Sequence, residues 1–261
     1  MANATIYDVA GAARVSLATV SRVLNNPEKV NEESGEICQS REVVFYTNSV
    51  KMITSTIVRN NLTPNQVNII CADTERNKKA LDKIGFSIGK APLNGELHKM
   101  FTFCTRTTYA GADFYSPCAL SVVVSDCKID SLSTDIRMDF PQIMGRQRLK
   151  ENIFRDECIF LYKLSDKDVT MEEYNKISLN KIERSKKDLE NFYTAKHQKE
   201  LLEDFRTRVK VYKYSGDYTG IQESTGLPVI NKLVMISEKR AFELRSDVYK
   251  SEVQIYNEFS K

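Results

Sequence analysis

Two short runs of apolar positions at helical spacing open the chain. Ile6, Val9, Ala10 and Ala13 share one face of a first helix, and Val15, Thr19, Val20, Val23 and Leu24 one face of a second. Ser16 lies between them as an N-cap, its hydroxyl suited to accept a free backbone N–H of the second helix. Two helices joined by Ala13-Arg14-Val15-Ser16 predict a helix-turn-helix, and small Ala10 and Ala18 let the pair approach closely. From Glu42 the pattern changes to strand–helix alternation. Val43–Tyr46, Val67–Cys71, Lys99–Thr105 and Leu120–Ser125 read as strands, with Leu62–Asn65 a turn. Helices are predicted from Ser49 to about Asn60, over 74–84 with Gly85 as terminator, and over about 134–148. Such alternation predicts an α/β fold, a mostly parallel sheet with helices on its faces.

The last third is different again. Residues 167–210 read as a long polar helix or helical pair with Tyr174, Ile177, Ile182, Leu189, Phe192, Leu201, Leu202 and Phe205 as its apolar stripe. Tyr212–Gly220 reads as a turn rich in Tyr and Gly, Thr225–Pro228 as a loop, and helical segments resume near Asn231. The expected organisation is a helix-turn-helix at 1–34, an α/β lobe at 42–165 and a mostly helical accessory region at 166–261.

Composition narrows the classes. With 261 residues, 41% hydrophobic and 28% charged, the chain can bury a real core as a soluble protein. No apolar run approaches a membrane span and the start lacks a basic-then-apolar signal, so a cytoplasmic location and no membrane partner are expected. Six cysteines stand singly, which points to small buried hydrophobes rather than to zinc. The net charge of +3 is nearly neutral, so any basic surface must be local. The eleven Lys and Arg between Lys167 and Lys210 are nearly balanced by acids and read as a solvated face.

The run Ala18-Thr-Val-Ser-Arg-Val-Leu-Asn25 resembles the helix-turn-helix of the LacI/GalR family of repressors. The resemblance implies duplex DNA as a partner, with the second helix in the major groove. Leu17 and Ala18 would then lie against bases, Arg22 would reach a guanine edge, and Thr19 and Ser21 would meet phosphates. Three features depart from the family. Arg14 stands where a residue tolerant of positive φ is usual, Gly35 interrupts the expected third helix, and no sugar-binding core follows. Residues 1–34 hold Arg14, Arg22 and Lys29 against Asp8, Glu28, Glu32 and Glu33, so few phosphates can be neutralised and weak binding is expected.

Residues 42–163 resemble the second RecA-like lobe of superfamily 2 helicases, especially phage enzymes. Thr105-Arg-Thr-Thr-Tyr-Ala-Gly-Ala-Asp113 resembles the motif whose hydroxyls, here Thr105 and Thr107, hold a single nucleic-acid strand while its Gly-x-Asp loop, here Gly111 and Asp113, approaches the nucleotide. Gln142-Ile-Met-Gly145-Arg146-Gln-Arg148 resembles the final motif Q-x-x-G-R-x-x-R with one residue fewer. By that resemblance Gln142 and Gly145 belong to the nucleotide site and Arg146 and Arg148 act as arginine fingers, their planar guanidiniums suited to phosphate oxygens.

A motor also needs a P-loop and a magnesium-binding acid, and two stretches imitate them. Gly85-Phe-Ser-Ile-Gly-Lys90-Ala91 is one residue short of a P-loop and has Ala where the hydroxyl belongs. Asp156-Glu157 should end an apolar strand but follows polar residues. No resident cofactor or metal is therefore expected, and ATP with magnesium could enter only with a partner lobe that supplies the P-loop. His98 and His197 read as surface or loop residues. The sequence thus predicts a nucleic-acid-binding protein with a helicase-like lobe, fused or truncated, and no ATP hydrolysis of its own. A LacI-type regulator carrying an inert lobe is the alternative, and a pure interaction protein the third.

Overall fold

A computed structural model describes residues 42–109, 111–129, 132–166, 168–212 and 217–260. The helix-turn-helix expectation, with Leu17, Ala18, Thr19, Ser21 and Arg22, lies outside them. The chain divides into two compact units, one reaching to Leu164 and including Tyr256–Lys261, the other Ser165–Ile255.

In the first unit, β1 (Val43–Thr47), β2 (Val67–Ile70), β3 (Phe101–Cys104), β4 (Leu120–Asp126) and β5 (Cys158–Lys163) form one five-stranded sheet in the order β2-β3-β1-β4-β5. Every pairing is parallel, with Val43 opposite both Phe101 and Leu120. Helix α1 (Val50–Arg59) is capped by Ser49, whose hydroxyl accepts the Met52 N–H at 3.1 Å. Helix α2 (Glu75–Asp82) is capped by Thr74 in the same way. Gly85 follows it at φ +76°, a left-handed conformation that ends the helix at little cost because glycine has no Cβ.

The two faces of the sheet are unlike. Val43, Val67, Ile69, Phe101, Phe103 and Val122 project to one face and form the apolar core with Ile53 and Ile57 of α1 and Leu81 of α2. The alternate positions Tyr46, Thr102, Cys104 and Ser121 are equally buried, with irregular chain around Tyr46 and with Phe160 of the same face packed against Phe140 and Phe259. Tyr109 packs edge-on to Tyr46 at 5.6 Å between ring centroids, and Phe114 does so at 6.4 Å. Buried on both sides, the strands lose the strict alternation that a half-exposed sheet would show.

Helix α3 is Asp139–Met144, far shorter than the 134–148 expected. Asp135 accounts for the late start: its Oδ1 accepts the N–H groups of Arg137 and Met138, holding a local turn. Past Gly145 the backbone turns to pair with Phe114 as an extended segment. As the sequence suggests, Asp156-Glu157 close no strand; they lead into β5, a strand that the sequence reading does not contain. Phe160 on β5 packs edge-on to Phe140 of α3 at 4.8 Å, and both meet Phe259.

The second unit contains α4 (Met171–Thr194), α5 (Gln198–Tyr212), the hairpin β6 (Thr219–Ile221) with β7 (Pro228–Ile230), and α6 (Lys232–Ser246). A final helix, α7 (Glu252–Phe259), begins in this unit and ends in the first. The long polar stretch is thus a helical pair, with α4 opened by a reciprocal Thr170–Glu173 capping box. Of the expected stripe, Tyr174, Phe192 and Phe205 are buried, whereas Ile177 is exposed. Tyr174 stacks on Phe242 at 4.4 Å, and Phe192 meets Phe205 edge-on. The expected turn at 212–220 contains the start of β6, paired to β7 with Gly220 opposite Val229.

Candidate functional site

The carboxyl ends of parallel strands are where α/β sheets bind ligands, because the connecting loops diverge there. On this lobe the loops after β1 and β3 are tied together, the Arg106 N–H donating to Asn48 Oδ1 at 3.3 Å. Thr105 follows β3 and begins a 3-10 turn over Arg106–Thr108. The Thr105 and Thr107 hydroxyls lie 3.1 Å apart, Thr105 buried and Thr107 exposed. The two predicted strand-holding hydroxyls therefore bond each other, and Thr107 is the one open to a ligand. Sequence reasoning gives no role to Arg106 between them. Its guanidinium donates to the Ser133 carbonyl at 2.9 Å and to Asp139 Oδ2 at 3.0 Å.

The loop then runs through Gly111 and Asp113 to Phe114. Phe114 is bridged in parallel to Gln147: its N–H donates to the Arg146 carbonyl at 2.8 Å, and its carbonyl accepts the Arg148 N–H at 2.9 Å. Extended backbone alternates its side chains, so Arg146 and Arg148 project to the same side while Gln147 points inward. Gln147 is buried, with its amide 3.4 Å from the Ser121 hydroxyl and its oxygen 3.5 Å from the Asn152 amide. The shortened motif has a physical counterpart in this geometry. Two arginines three apart share a face on a helix, but two apart share a face on a strand, and here the backbone is strand-like.

Both guanidiniums converge on one oxygen. Asp113 Oδ1 accepts from Arg146 Nη1 at 3.1 Å and from Arg148 Nη2 at 2.9 Å. Arg146 also donates through Nε to the Gln142 carbonyl at 2.9 Å, which fixes its plane. The Arg146 side chain is 16% exposed, Asp113 34% and Arg148 44%. Asp113 raises the Arg148 pKa above its ordinary value, by hydrogen bonding first and by charge second. The carboxylate that the two arginines share is thus Asp113 of the loop, while Asp139 of α3 pairs with Arg106. Two permanent positive charges face one carboxylate, leaving the cluster a net cation, and the Gln147 side chain between the arginines reaches Ser121 near the amino end of β4, away from the carboxyl ends of the strands.

The two glycines of the site have room. A Cβ on Gly111 would lie 3.9 Å from the Thr107 carbonyl, and one on Gly145 3.4 Å from that of Pro141. Neither has positive φ. Gly111→Ala is therefore expected to change stability by less than about 0.5 kcal/mol. A urea titration checks this, and with the fold intact any loss of ligand binding would report close approach by the ligand itself.

The P-loop imitation has a different structure. Residues 85–91 follow α2, not a strand, and lie along β2: the Gly89 N–H donates to the Ile69 carbonyl at 2.7 Å, and the Lys90 carbonyl accepts from the Asn68 amide at 2.8 Å. A loop whose backbone is spent on the sheet edge cannot cradle phosphates, so the residues here do not fit a triphosphate and its ion. Among the described residues no cluster of three or more His, Cys, Asp or Glu is placed to hold a metal.

His98 lies in the loop before β3, within the surface-or-loop expectation, but its side chain is covered. Its side chain is only 3% exposed, with Nδ1 3.9 Å from Glu42 Oε2, and its ring faces Phe114 at 6.5 Å. Cys71, Cys104 and Cys127 are buried, while Cys118 and Cys158 are partly so. Burial pushes the Cys104 thiol up to about 12, against a small opposing effect of the Thr108 hydroxyl. No described helix is long and apolar enough to cross a membrane.

Residues 5–39 match the family model for bacterial regulatory proteins of the lacI family. The match runs five residues beyond Ser34, across Gly35 and into the stretch expected to lack a third helix. No curated protein is similar enough to match the chain.

Proposed function

We propose that this protein binds nucleic acid through residues 5–39 and carries, in its α/β unit, a helicase-like lobe with a phosphate-binding arginine pair but no P-loop. The lacI-family match at residues 5–39 is the observation that carries the first half, since that segment in the family contacts duplex DNA. Leu17, Ala18 and Arg22 are the base-reading residues, and Thr19 and Ser21 the phosphate contacts. For the second half, support comes from Arg146 and Arg148 meeting at Asp113, two residues from Gly111. Guanidiniums so placed suit a polyphosphate presented by a partner lobe. Gln142 contributes its carbonyl to the orientation of Arg146. Hydroxyl contact with a single strand falls to Thr107.

A second reading follows from the match itself: a LacI-type regulator in which the lobe has no ligand. One set of titrations separates the two. Arg22→Ala should remove guanine preference in duplex binding, an effect of about 1–3 kcal/mol. Inorganic tripolyphosphate should shift the resonances of the Gly111–Asp113 loop, and the double variant Arg146→Ala, Arg148→Ala should abolish that response. A silent loop with intact duplex binding would leave the regulator reading alone standing.

A further inference from the structure

Resting on the reading of Arg146 and Arg148 as a polyphosphate site, we infer that Asp113 is a specificity-determining residue that reserves this pair for a polyphosphate and excludes the phosphodiester backbone of nucleic acid. The distances place one carboxylate oxygen between two guanidiniums, at 3.1 Å and 2.9 Å. Asp113 therefore already occupies the position that a ligand oxygen would take. The register of Phe114 against Gln147 holds both partners in place through backbone hydrogen bonds, so the carboxylate competes as an intramolecular ligand of high effective concentration. A phosphodiester carries one negative charge per phosphate. Replacing a carboxylate with it exchanges like for like and gains no charge attraction. A polyphosphate brings several charges to the same two guanidiniums and can span both at once, so it gains where the diester does not. Thr107, exposed on the loop after β3, is left to the nucleic-acid strand. Asp113 thus keeps the arginine pair and the Thr107 surface from sharing one ligand.

The test compares inorganic tripolyphosphate with the single strand dT10 on the full chain, for the wild type, Asp113→Asn and Asp113→Ser. Removing the carboxylate should raise dT10 affinity at least about tenfold while changing tripolyphosphate less, so the preference for tripolyphosphate narrows. Two freed arginines should also steepen the salt dependence of dT10 binding by up to ~1.4 in log–log slope, at about 0.7 for each phosphate neutralised. A merely structural role for Asp113 would not move that slope. Adding Arg146→Ala and Arg148→Ala to either variant should cancel both changes. An unchanged preference and slope in both Asp113 variants, with tripolyphosphate binding still dependent on the arginines, overturns the inference and leaves the underlying reading intact. Wild-type tripolyphosphate binding that is indifferent to Arg146→Ala and Arg148→Ala overturns both. Circular dichroism on each variant checks that the fold is retained, and having two substitutions at Asp113 keeps the comparison available should one of them unfold.

Discussion

Raising the pH from 9 to 12 is expected to destabilise the α/β unit by several kcal/mol. The Cys104 thiol is fully buried on the face of the sheet that holds Tyr46 and Tyr109, and burial pushes it from an ordinary 9.0 up to about 12. An unfolded chain releases that proton near pH 9, whereas the folded one keeps it. The contribution is therefore complete below pH 9 and is lost as pH rises through 12. Each pH step of one in that window costs about 1.4 kcal/mol, so this thiol alone removes ~4 kcal/mol by pH 12. The Tyr46 and Tyr109 hydroxyls are also raised, chiefly by burial, and act in the same direction above pH 10. A loss of this size is a large part of the roughly 5–15 kcal/mol that keeps a typical domain folded. Urea midpoints at pH 8, 10 and 11.5 should fall steeply, and less so for Cys104→Ala. A midpoint that holds constant to pH 11.5 would contradict the buried environment assigned to this face of the sheet.

No ATP turnover is expected from the purified chain, with or without DNA. Arginine fingers stabilise charge on a phosphate that other groups must hold, and fingers alone supply only part of the barrier lowering. Residues 85–91 follow a helix rather than a strand, with the Gly89 N–H and the Lys90 carbonyl held by Ile69 and Asn68 of β2, and Ala91 offers no hydroxyl to an ion. Phosphate release should therefore match the uncatalysed background. DNA-stimulated release abolished by Gly89→Ala and Lys90→Ala would mean that this segment rearranges into a true phosphate loop.

Most strands and caps are legible in the sequence because their signals are local. Ser49 and Thr74 announce helix starts, Gly85 a stop, and Val43–Tyr46 a buried strand. The misses come from a local turn and from distant partners: Asp135 holds a turn that delays the helix expected over 134–148. Helical spacing over 134–148 predicts a long helix, yet Phe114, about thirty residues away, draws Arg146–Arg148 into an extended bridge. Polar Asn152 and Arg155 argue against a strand before Asp156, and none is there; Asn152 is nonetheless buried, its amide donating to the Ala119 carbonyl at 2.9 Å. Strand β5 then follows, absent from the sequence reading, and Phe160 packs on Phe140 and Phe259. The site is legible as residue types and order. That the two arginines share one carboxylate oxygen is not, since it depends on strand-like geometry after Gly145.

Contact with duplex DNA through residues 5–39 is the central claim. Fluorescence anisotropy of a labelled duplex with the full chain, from 50 to 300 mM salt, tests it most directly. Residues 5–39 hold Arg14, Arg22 and Lys29 beside Asp8, Glu28, Glu32, Glu33 and Glu36, so only two or three phosphates can be neutralised. The predicted result is weak binding at 50 mM with a log–log salt slope of about −2 to −3, reduced by nearly 1 in Arg14→Ala or Lys29→Ala. Anisotropy that stays flat at 50 mM salt and high micromolar protein would contradict it.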